Sequence, residues 1–144
     1  MINSKYLKFY LIFLLVTAIG CNSNNPSEMI PAITGYWQIE TVTLSNGTSK
    51  NYSFSETIDY IEVADSLSGF RKKLKPRLNG TYITSKNLER FELKVENDSL
   101  NIYYTTPFDN WKETVLRANE NQLIIMNKNN DIYSYKPYEP ISLE

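Results

Sequence analysis

Residues 88–96 read Leu-Glu-Arg-Phe-Glu-Leu-Lys-Val-Glu, and apolar and charged side chains alternate along them. Phe91 and Leu93 share one face of an extended chain, while the charged residues between them share the other. Asn97-Asp98 follows as a turn signal, and residues 99–105 then alternate with the same period of two. The stretch therefore predicts two neighbouring antiparallel strands, each with one face toward an apolar core and one toward water.

The same pattern continues on both sides of this pair. Asn46-Gly47 and Asn79-Gly80 are hairpin-turn signals, and a change of apolar phase predicts a bulge near Glu40–Thr41. Further strands are predicted over residues 35–44, 57–63, 70–78, 81–84, 111–118, 122–127 and 131–136. Because the connections are short, consecutive strands are expected to lie side by side. We expect an all-β domain, an antiparallel up-and-down β-barrel of eight to nine short strands, with a Greek-key β-sandwich as the alternative.

The first twenty residues predict a secretory leader. Lys5 and Lys8 precede an apolar run over residues 9–19, which at about 1.5 Å per residue is too short to span a bilayer. Residues 18–21, Ala-Ile-Gly-Cys, resemble a bacterial lipobox, which implies cleavage before Cys21 and a diacylglycerol on its thiol. The alternative is an ordinary signal peptide followed by a free cysteine. The expected organisation is a lipoprotein signal peptide (1–20), the lipidated cysteine with its tether (21–34) and the barrel domain (35–144).

The segment after Cys21 is polar and is interrupted by Pro26, which is typical of a flexible tether. An acidic run directly after the cysteine, which some Gram-negative bacteria use as a signal for export to the cell surface, is missing from this sequence. We therefore expect the protein in the cell envelope, held at the outer membrane by its lipid, with the periplasmic face favoured over the cell surface.

The composition excludes several classes of function. The 144 residues include no His and a single Cys, which excludes His-based catalysis, His-ligated metal sites and internal disulfides. The formal net charge is −1, and removing the leader with its two lysines leaves 13 basic against 16 acidic residues. That balance does not indicate a nucleic-acid binder. We expect no catalytic residues, no metal, no cofactor and no enzyme activity.

The first predicted strand opens with Gly35-Tyr36-Trp37, shortly after Pro31. This G-x-W motif resembles the opening motif of lipocalins, and its position behind a lipobox resembles the small lipocalin-like lipoproteins of Gram-negative bacteria. The resemblance implies an antiparallel barrel with an apolar interior that holds a small ligand, in which Trp37 closes the floor. It also implies a basic residue packed on that ring, with Lys136 as the first candidate and Arg117 as the second.

The inward phase of the predicted strands gives a candidate ligand site. If the barrel holds a cavity, its lining is expected to come from large side chains that share this phase. These are Trp37, Phe91, Leu93, Ile102, Tyr104 and Val115. Packing in an apolar core is the alternative role for most aromatic residues of the chain.

A basic run on the third predicted strand gives a second candidate site. Its members fall on one face, about 6.6 Å apart from each to the next: Arg71, Lys73, Lys75 and Arg77. One interpretation is an exposed strand balanced by acidic neighbours such as Glu89, Glu92 and Glu96. The other is a docking strip for an anionic partner, such as lipid headgroups or an acidic protein.

Two short triplets resemble the O-glycosylation acceptors of some Gram-negative bacteria, and chance is the alternative. They are Asp65-Ser66-Leu67 and Asp98-Ser99-Leu100, and both fall in or beside predicted turns.

Two functions from different classes fit these features. The first is a carrier that binds a small apolar or amphipathic molecule in the cell envelope. The second is an interaction module, an accessory subunit or inhibitor that docks on another envelope protein and has no ligand cavity. An open apolar cavity of about a few hundred Å³ supports the carrier, and an interior filled by side chains supports the interaction module. The expected partners are the membrane, through Cys21, and either a small apolar ligand or an envelope protein.

Overall fold

The structure, a computed structural model, describes residues 25–140 of the chain. The leader and Cys21 lie outside the described residues, so the structure does not test the predicted lipid anchor. The N-terminal part holds a short helix α1 (Pro26–Met29) and a 3-10 helix (Ile30–Ala32). Within residues 25–140, no helix combines the length and the apolar character that crossing a membrane requires.

Ten strands make up most of the described chain. In chain order they are β1 (Gly35–Thr43), β2 (Ser49–Asn51), β3 (Ile58–Val63), β4 (Ser68–Pro76), β5 (Tyr82–Thr84), β6 (Glu89–Glu96), β7 (Ser99–Thr105), β8 (Asn110–Asn119), β9 (Gln122–Met126) and β10 (Ile132–Pro137). All their pairings are antiparallel. The predicted strands agree with these bounds within two residues, except that the sequence did not predict β2.

Eight of these strands close into a barrel. The wall runs from β1 to β3, β4, β6, β7, β8, β9 and β10, and β10 pairs back with β1. At this seam Pro137 lies opposite Trp37 and Ile132 lies opposite Thr43. Closure removes the free edges of the main wall. The predicted up-and-down barrel is confirmed, and the sandwich alternative is wrong.

Strands β2 and β5 extend the wall beyond the barrel. β2 pairs with the second half of β1, and β5 pairs with the last residues of β4. Each follows a predicted Asn-Gly turn, in which Gly47 and Gly80 have φ angles of +86° and +78°. Glycine adopts this left-handed region without a steric penalty. The predicted bulge is also present, because the register of β1 against β10 shifts between Ile39 and Thr41.

The N-terminal residues close one end of the barrel, which we call the floor. Met29 and Ile33 are buried in the same core as Trp37. The indole Nε1 of Trp37 donates a hydrogen bond to the carbonyl oxygen of Ile33, 2.9 Å away. The C-terminal part of the segment predicted as a tether (21–34) therefore packs against the barrel core.

Strand β4 has apolar side chains on its outer face. Leu74 lies opposite Ile58 of β3, and both are buried although they point away from the barrel axis. The β4–β5 hairpin folds over this outer wall, where the Tyr36 ring packs at a tilt on Tyr60 and stacks on Tyr82, at centroid distances of 4.7 and 5.6 Å. The opposite face of β4, which carries basic residues, therefore points into the barrel.

Candidate functional site

Arg71 of β4 lies inside the barrel. It is opposite Ile61 of β3 and Glu89 of β6, and side chains directly opposite one another share a face. Ile61 belongs to the buried core, so the Arg71 side chain points inward as well. A charged group in this position needs partners, because an unpaired buried charge is strongly destabilising.

Two carboxylates and an aromatic ring surround the Arg71 guanidinium. Nε donates to Oε2 of Glu89 over 2.7 Å, and Nη1 donates to Oε2 of Glu113 on β8 over 3.2 Å. The guanidinium carbon is 4.6 Å from the ring centroid of Tyr104. The Tyr104 ring in turn stacks on Trp111, with 4.7 Å between centroids and 11° between planes. Charge-assisted hydrogen bonds and the negative face of the ring both stabilise the cation.

A second ion pair lies one step further along the inner face of β4. Lys73 Nζ is 2.7 Å from Oδ1 of Asp59 and 2.8 Å from its Oδ2. Asp59 is on β3 directly opposite Lys73 and is almost fully buried. We call the residues of both ion pairs and the two stacked rings the mouth cluster: Asp59, Arg71, Lys73, Glu89, Tyr104, Trp111 and Glu113.

The mouth cluster is reached from the end of the barrel opposite the floor, which we call the mouth. β4 runs from floor to mouth, so Lys73 lies nearer the mouth than Arg71 does. Side-chain exposure rises in the same direction, from 13% for Arg71 and 12% for Glu113 to 37% for Glu89 and 59% for Lys73. The mouth cluster therefore lies between the solvent at the mouth and the apolar core beneath it.

The surroundings keep Arg71 charged and Tyr104 neutral. Burial lowers the pKa of the Arg71 guanidinium, but Tyr104 and the carboxylates of Glu113, Glu89 and Asp59 raise it more, so the net shift is upward. Burial raises the pKa of the Tyr104 hydroxyl well above its usual 10.0; Arg71 opposes this shift and Glu113 adds to it.

The Tyr104 hydroxyl is buried and has no hydrogen-bond partner among the described residues. Glu113 lies close enough for its charge and a side-chain hydrogen bond to raise the pKa of the hydroxyl, although this contact falls outside strict hydrogen-bond geometry. A buried polar group without a partner costs about 1–3 kcal/mol. A better-aligned hydrogen-bond partner would therefore be favourable at this hydroxyl.

A family model described as a lipocalin-like domain matches residues 33–125, which is well over half of the chain. The chain belongs to the lipocalin-like domain family. The lipocalin-like fold is typically one of binding proteins and not of enzymes, and it supports a small-molecule-binding domain here. This match confirms the resemblance that the G-x-W motif at Trp37 predicted.

Two solved structures are similar to this lipocalin-like chain. A lipocalin-like protein from Bacteroides uniformis is 10% identical with a TM-score of 0.47, over 74% of this chain and 99% of that chain. An uncharacterized protein from Bacteroides eggerthii is 11% identical with a TM-score of 0.46, over 73% of this chain and 98% of that chain. No curated protein matches the chain.

The six predicted lining residues lie inside the lipocalin-like barrel. All are buried and belong to one apolar core, in which they pack on one another and on the floor residues: Trp37, Phe91, Leu93, Ile102, Tyr104 and Val115. Of the six, Tyr104 also belongs to the mouth cluster. Contact between these side chains and a ligand stays a prediction.

The four basic residues do not form one exposed strip. Arg71 and Lys73 point inward and pair with carboxylates, as described above, and Lys75 Nζ is 3.0 Å from Oε2 of Glu56 at the surface. Arg77 is exposed in the turn after β4. The expected balance by acidic neighbours is confirmed for Glu89, but the expectation that the strand presents its basic face to solvent is wrong for Arg71.

The predicted basic partner of Trp37 is wrong for both candidates. Lys136 lies opposite Gln38, so it shares the outer face of the wall and is exposed. Arg117 is also exposed. The cation inside the barrel is Arg71, and its aromatic partner is Tyr104 rather than Trp37.

Two grooves lie outside the barrel. One of about 590 Å³ runs between the β4–β5 hairpin and the C-terminal residues, with Phe54, Leu78, Tyr82 and Tyr138 in its walls. Another of about 660 Å³ crosses the outer faces of β4, β6 and β7. The predicted glycosylation triplets at Ser66 and Ser99 lie in or beside turns, and their modification stays a prediction.

Sequence reasoning did not single out Glu113 or the inward position of Arg71. Alternation could have placed Glu113, because it lies two residues before Val115 and so shares its inward phase. Alternation does not place Arg71 in the same way, because Leu74, the buried apolar residue of β4, lies on the outer face of the wall. Recognising Arg71 as an interior residue requires the cross-strand pairing with Glu89.

Proposed function

We propose that the protein is a lipid-anchored lipoprotein of the cell envelope whose lipocalin-like domain binds a small amphipathic molecule at the barrel mouth. The observation that carries this proposal is the mouth cluster. Arg71 and Glu113 form an ion pair inside the barrel, and the buried Tyr104 hydroxyl beside them has no well-aligned hydrogen-bond partner within residues 25–140. Buried ion pairs contribute little to stability, and apolar residues of similar volume often replace them without loss. Such a cluster is better explained by recognition of a polar group than by the needs of folding.

Apolar side chains around the mouth cluster favour a ligand that also has an apolar part. Trp111, Tyr133 and Ile39 are partly buried and pack against the core from this side. The fully exposed Phe108 lies in the turn between β7 and β8, at the mouth. A ligand with a polar head beside Arg71 and an apolar body toward these rings matches both surfaces.

The proposed anchor orients the barrel relative to the membrane. Cys21 precedes Asn25 by four residues, which reach at most about 14 Å when fully extended. Because α1 follows directly and closes the floor, the floor faces the membrane and the mouth faces away from it. The mouth cluster is then open to molecules in the aqueous space, which suits a carrier or a sensor in the periplasm.

The two Trp indoles provide a test of ligand binding at the mouth. Nitrogen-15 NMR spectra of residues 21–144 with Cys21→Ser are recorded during a titration with N-phenyl-1-naphthylamine, a neutral amphipathic probe. Trp111 lies at the mouth cluster, whereas Trp37 is hydrogen-bonded to Ile33 at the floor. We expect the Trp111 indole signal to shift with saturation at one probe per chain, while the Trp37 signal stays in place. Shifts confined to residues such as Tyr82 and Tyr138 of the outer groove, or no shifts, contradict the proposal.

The anchor has its own test. Metabolic labelling with an alkyne fatty acid in a Gram-negative host is expected to mark the full-length protein and not the Cys21→Ser variant, because the lipobox places acylation on that thiol. Equal labelling of both proteins removes the anchor from the proposal and leaves the binding domain unaffected.

The second candidate function is an interaction module. The observation in its favour is that side chains with almost no exposure fill the floor half of the barrel, such as Ile33, Leu100 and Leu123. Phe54 and Leu78 also lie exposed at the outer groove. A protein partner that co-purifies in place of a small molecule supports this candidate.

A further inference from the structure

We infer that the mouth cluster selects a ligand with a cationic, hydrogen-bond-donating head group, above all a primary ammonium, and rejects carboxylates and phosphates. The inference rests on the proposed function and names the chemical class of ligand for the same site. It reverses the prediction of anion docking that the basic run on β4 suggested.

The balance of charge in the mouth cluster favours a cation. Three carboxylates face two cations across the barrel interior: Asp59, Glu89 and Glu113 against Arg71 and Lys73. A bound ammonium brings the cluster to neutrality, whereas a bound anion increases the excess of negative charge. Within a partly buried site such like-charge contacts are screened less than at the surface.

Both cations of the mouth cluster are already paired with carboxylates. Arg71 donates through Nε to Glu89 and through Nη1 to Glu113, and Lys73 lies between the two oxygens of Asp59. An incoming carboxylate that takes Arg71 from Glu113 leaves the mostly buried Glu113 without its cation. Removing one partner of a buried ion pair costs about 3–5 kcal/mol, so an anion gains little at this site.

The acceptors of the mouth cluster remain available. Arg71 contacts Oε2 of Glu113 over a rather long 3.2 Å, which leaves Oε1 for another donor. The Tyr104 hydroxyl lies beside this carboxylate and is buried without a partner among the described residues. An ammonium group carries three donors, which match a carboxylate oxygen and a hydroxyl held side by side.

The stacked rings add to the preference for a cation. The Arg71 guanidinium lies over the Tyr104 ring, and Trp111 stacks on that ring at the mouth. Trp111 is only partly buried, so part of its surface faces the entering ligand. The face of a Trp ring is the strongest aromatic site for an ammonium or for the first methylene groups attached to it.

The test compares eight-carbon probes that differ only in the head group. Octylammonium, 1-octanol and octanoate are titrated by calorimetry into residues 21–144 with Cys21→Ser, a chain that keeps all ten described strands. We expect octylammonium to bind at least tenfold more tightly than octanoate, with octanol between them. In Glu113→Gln this preference is expected to disappear, because the variant removes the open carboxylate and releases Arg71 from one partner. Glu92→Gln is the matched control, since Glu92 is exposed on the outer face, and it is expected to keep the preference.

Tyr104→Phe provides a second variant with the same core volume. It is expected to weaken octanol and octylammonium binding three- to tenfold while circular dichroism shows an unchanged fold. Tighter binding of octanoate than of octylammonium by the wild type overturns the inference and leaves the proposed function intact. A preference for octylammonium over octanoate that persists in Glu113→Gln also overturns the inference and leaves the proposed function intact. Binding of none of the three probes overturns the proposed function together with the inference.

Discussion

The guanidinium of Arg71 lies inside the barrel, 4.6 Å from the ring centroid of Tyr104 and within hydrogen-bonding distance of Glu113. Three strands that are not all neighbours in the wall, β4, β7 and β8, contribute these side chains. The cluster therefore depends on the pairing and curvature of four successive wall strands, β4, β6, β7 and β8.

The first prediction separates the Arg71 ion pair from the packing around it. Arg71→Met is expected to lower the free energy of unfolding by about 3–5 kcal/mol, because Glu113 is left buried without its cation. Combining it with Glu113→Leu is expected to restore most of that loss, since apolar residues then fill the same space. Urea denaturation of the single and double variants measures both values. Arg90→Met, an exposed change on the outer face, is the control and is expected to stay within about 0.5 kcal/mol. A loss below about 1 kcal/mol in Arg71→Met contradicts the account of a desolvated pair.

The second prediction concerns alkaline pH. Burial raises the pKa of Tyr104 and of Tyr135, and a hydrogen bond to Glu62 with partial burial raises that of Tyr60 to about 12. The folded chain thus retains protons that the unfolded chain loses near pH 10, so the free energy of unfolding falls as the pH rises above 10. Urea denaturation between pH 9 and pH 11.5 measures the slope. Tyr104→Phe is expected to make this decline shallower, and an unchanged slope rules out Tyr104 as a contributor.

The third prediction concerns the floor. Trp37→Ala is expected to cost about 3–5 kcal/mol, because the buried ring fills the space above Ile33. Trp37→Phe keeps most of the packing and loses the indole hydrogen bond to the Ile33 carbonyl, so its expected cost includes about 0.5–1.5 kcal/mol for that bond. Chemical denaturation gives both values. A cost for Trp37→Ala below about 1 kcal/mol means that the ring does not close the floor.

The fourth prediction concerns Gly69 at the start of β4. A Cβ at this position meets the carbonyl oxygen of Glu62 and lies 2.6 Å from Cζ of Phe91. Gly69→Ala is therefore expected to cost about 3 kcal/mol or more, because neither the backbone nor the packed ring yields easily. Gly47→Ala meets open space and differs only by its positive φ, so about 1–2 kcal/mol is expected there. Thermal or chemical denaturation that gives Gly69→Ala the smaller cost disproves the close approach.

The fold follows from local signals that a single sequence carries. The strands are predicted by the alternation in β6 and β7, by the Asn-Gly turns and by the phase change in β1. Because the connections are short, consecutive strands of the barrel wall then pair with each other. β2 escapes prediction because its three polar residues, Ser49–Asn51, lack any apolar alternation. The N-terminal segment that closes the floor escapes prediction because its apolar residues, such as Met29 and Ile33, follow no regular alternation and are interrupted by Pro31.

The candidate site is less accessible to sequence reasoning than the fold. On β4 the buried apolar side chain of Leu74 lies on the outer face, which the β4–β5 hairpin covers. The rule that apolar side chains point into the barrel therefore assigns Arg71 to the outer face, which is wrong. Its interior position depends on carboxylates from β6 and β8, which are 18 and 42 residues away in the chain. These ion pairs depend on the register between strands and on the curvature of the wall. Alternation within one strand does not predict them.

Native mass spectrometry of the full-length protein, purified gently from its own host, tests ligand binding at the mouth most directly. We predict a fraction of the protein carrying one additional small molecule with a titratable amine. We also predict that Glu113→Gln loses this molecule and that the outer-face control Glu92→Gln retains it. Protein that carries no small molecule under conditions that preserve other non-covalent lipocalin complexes contradicts the account.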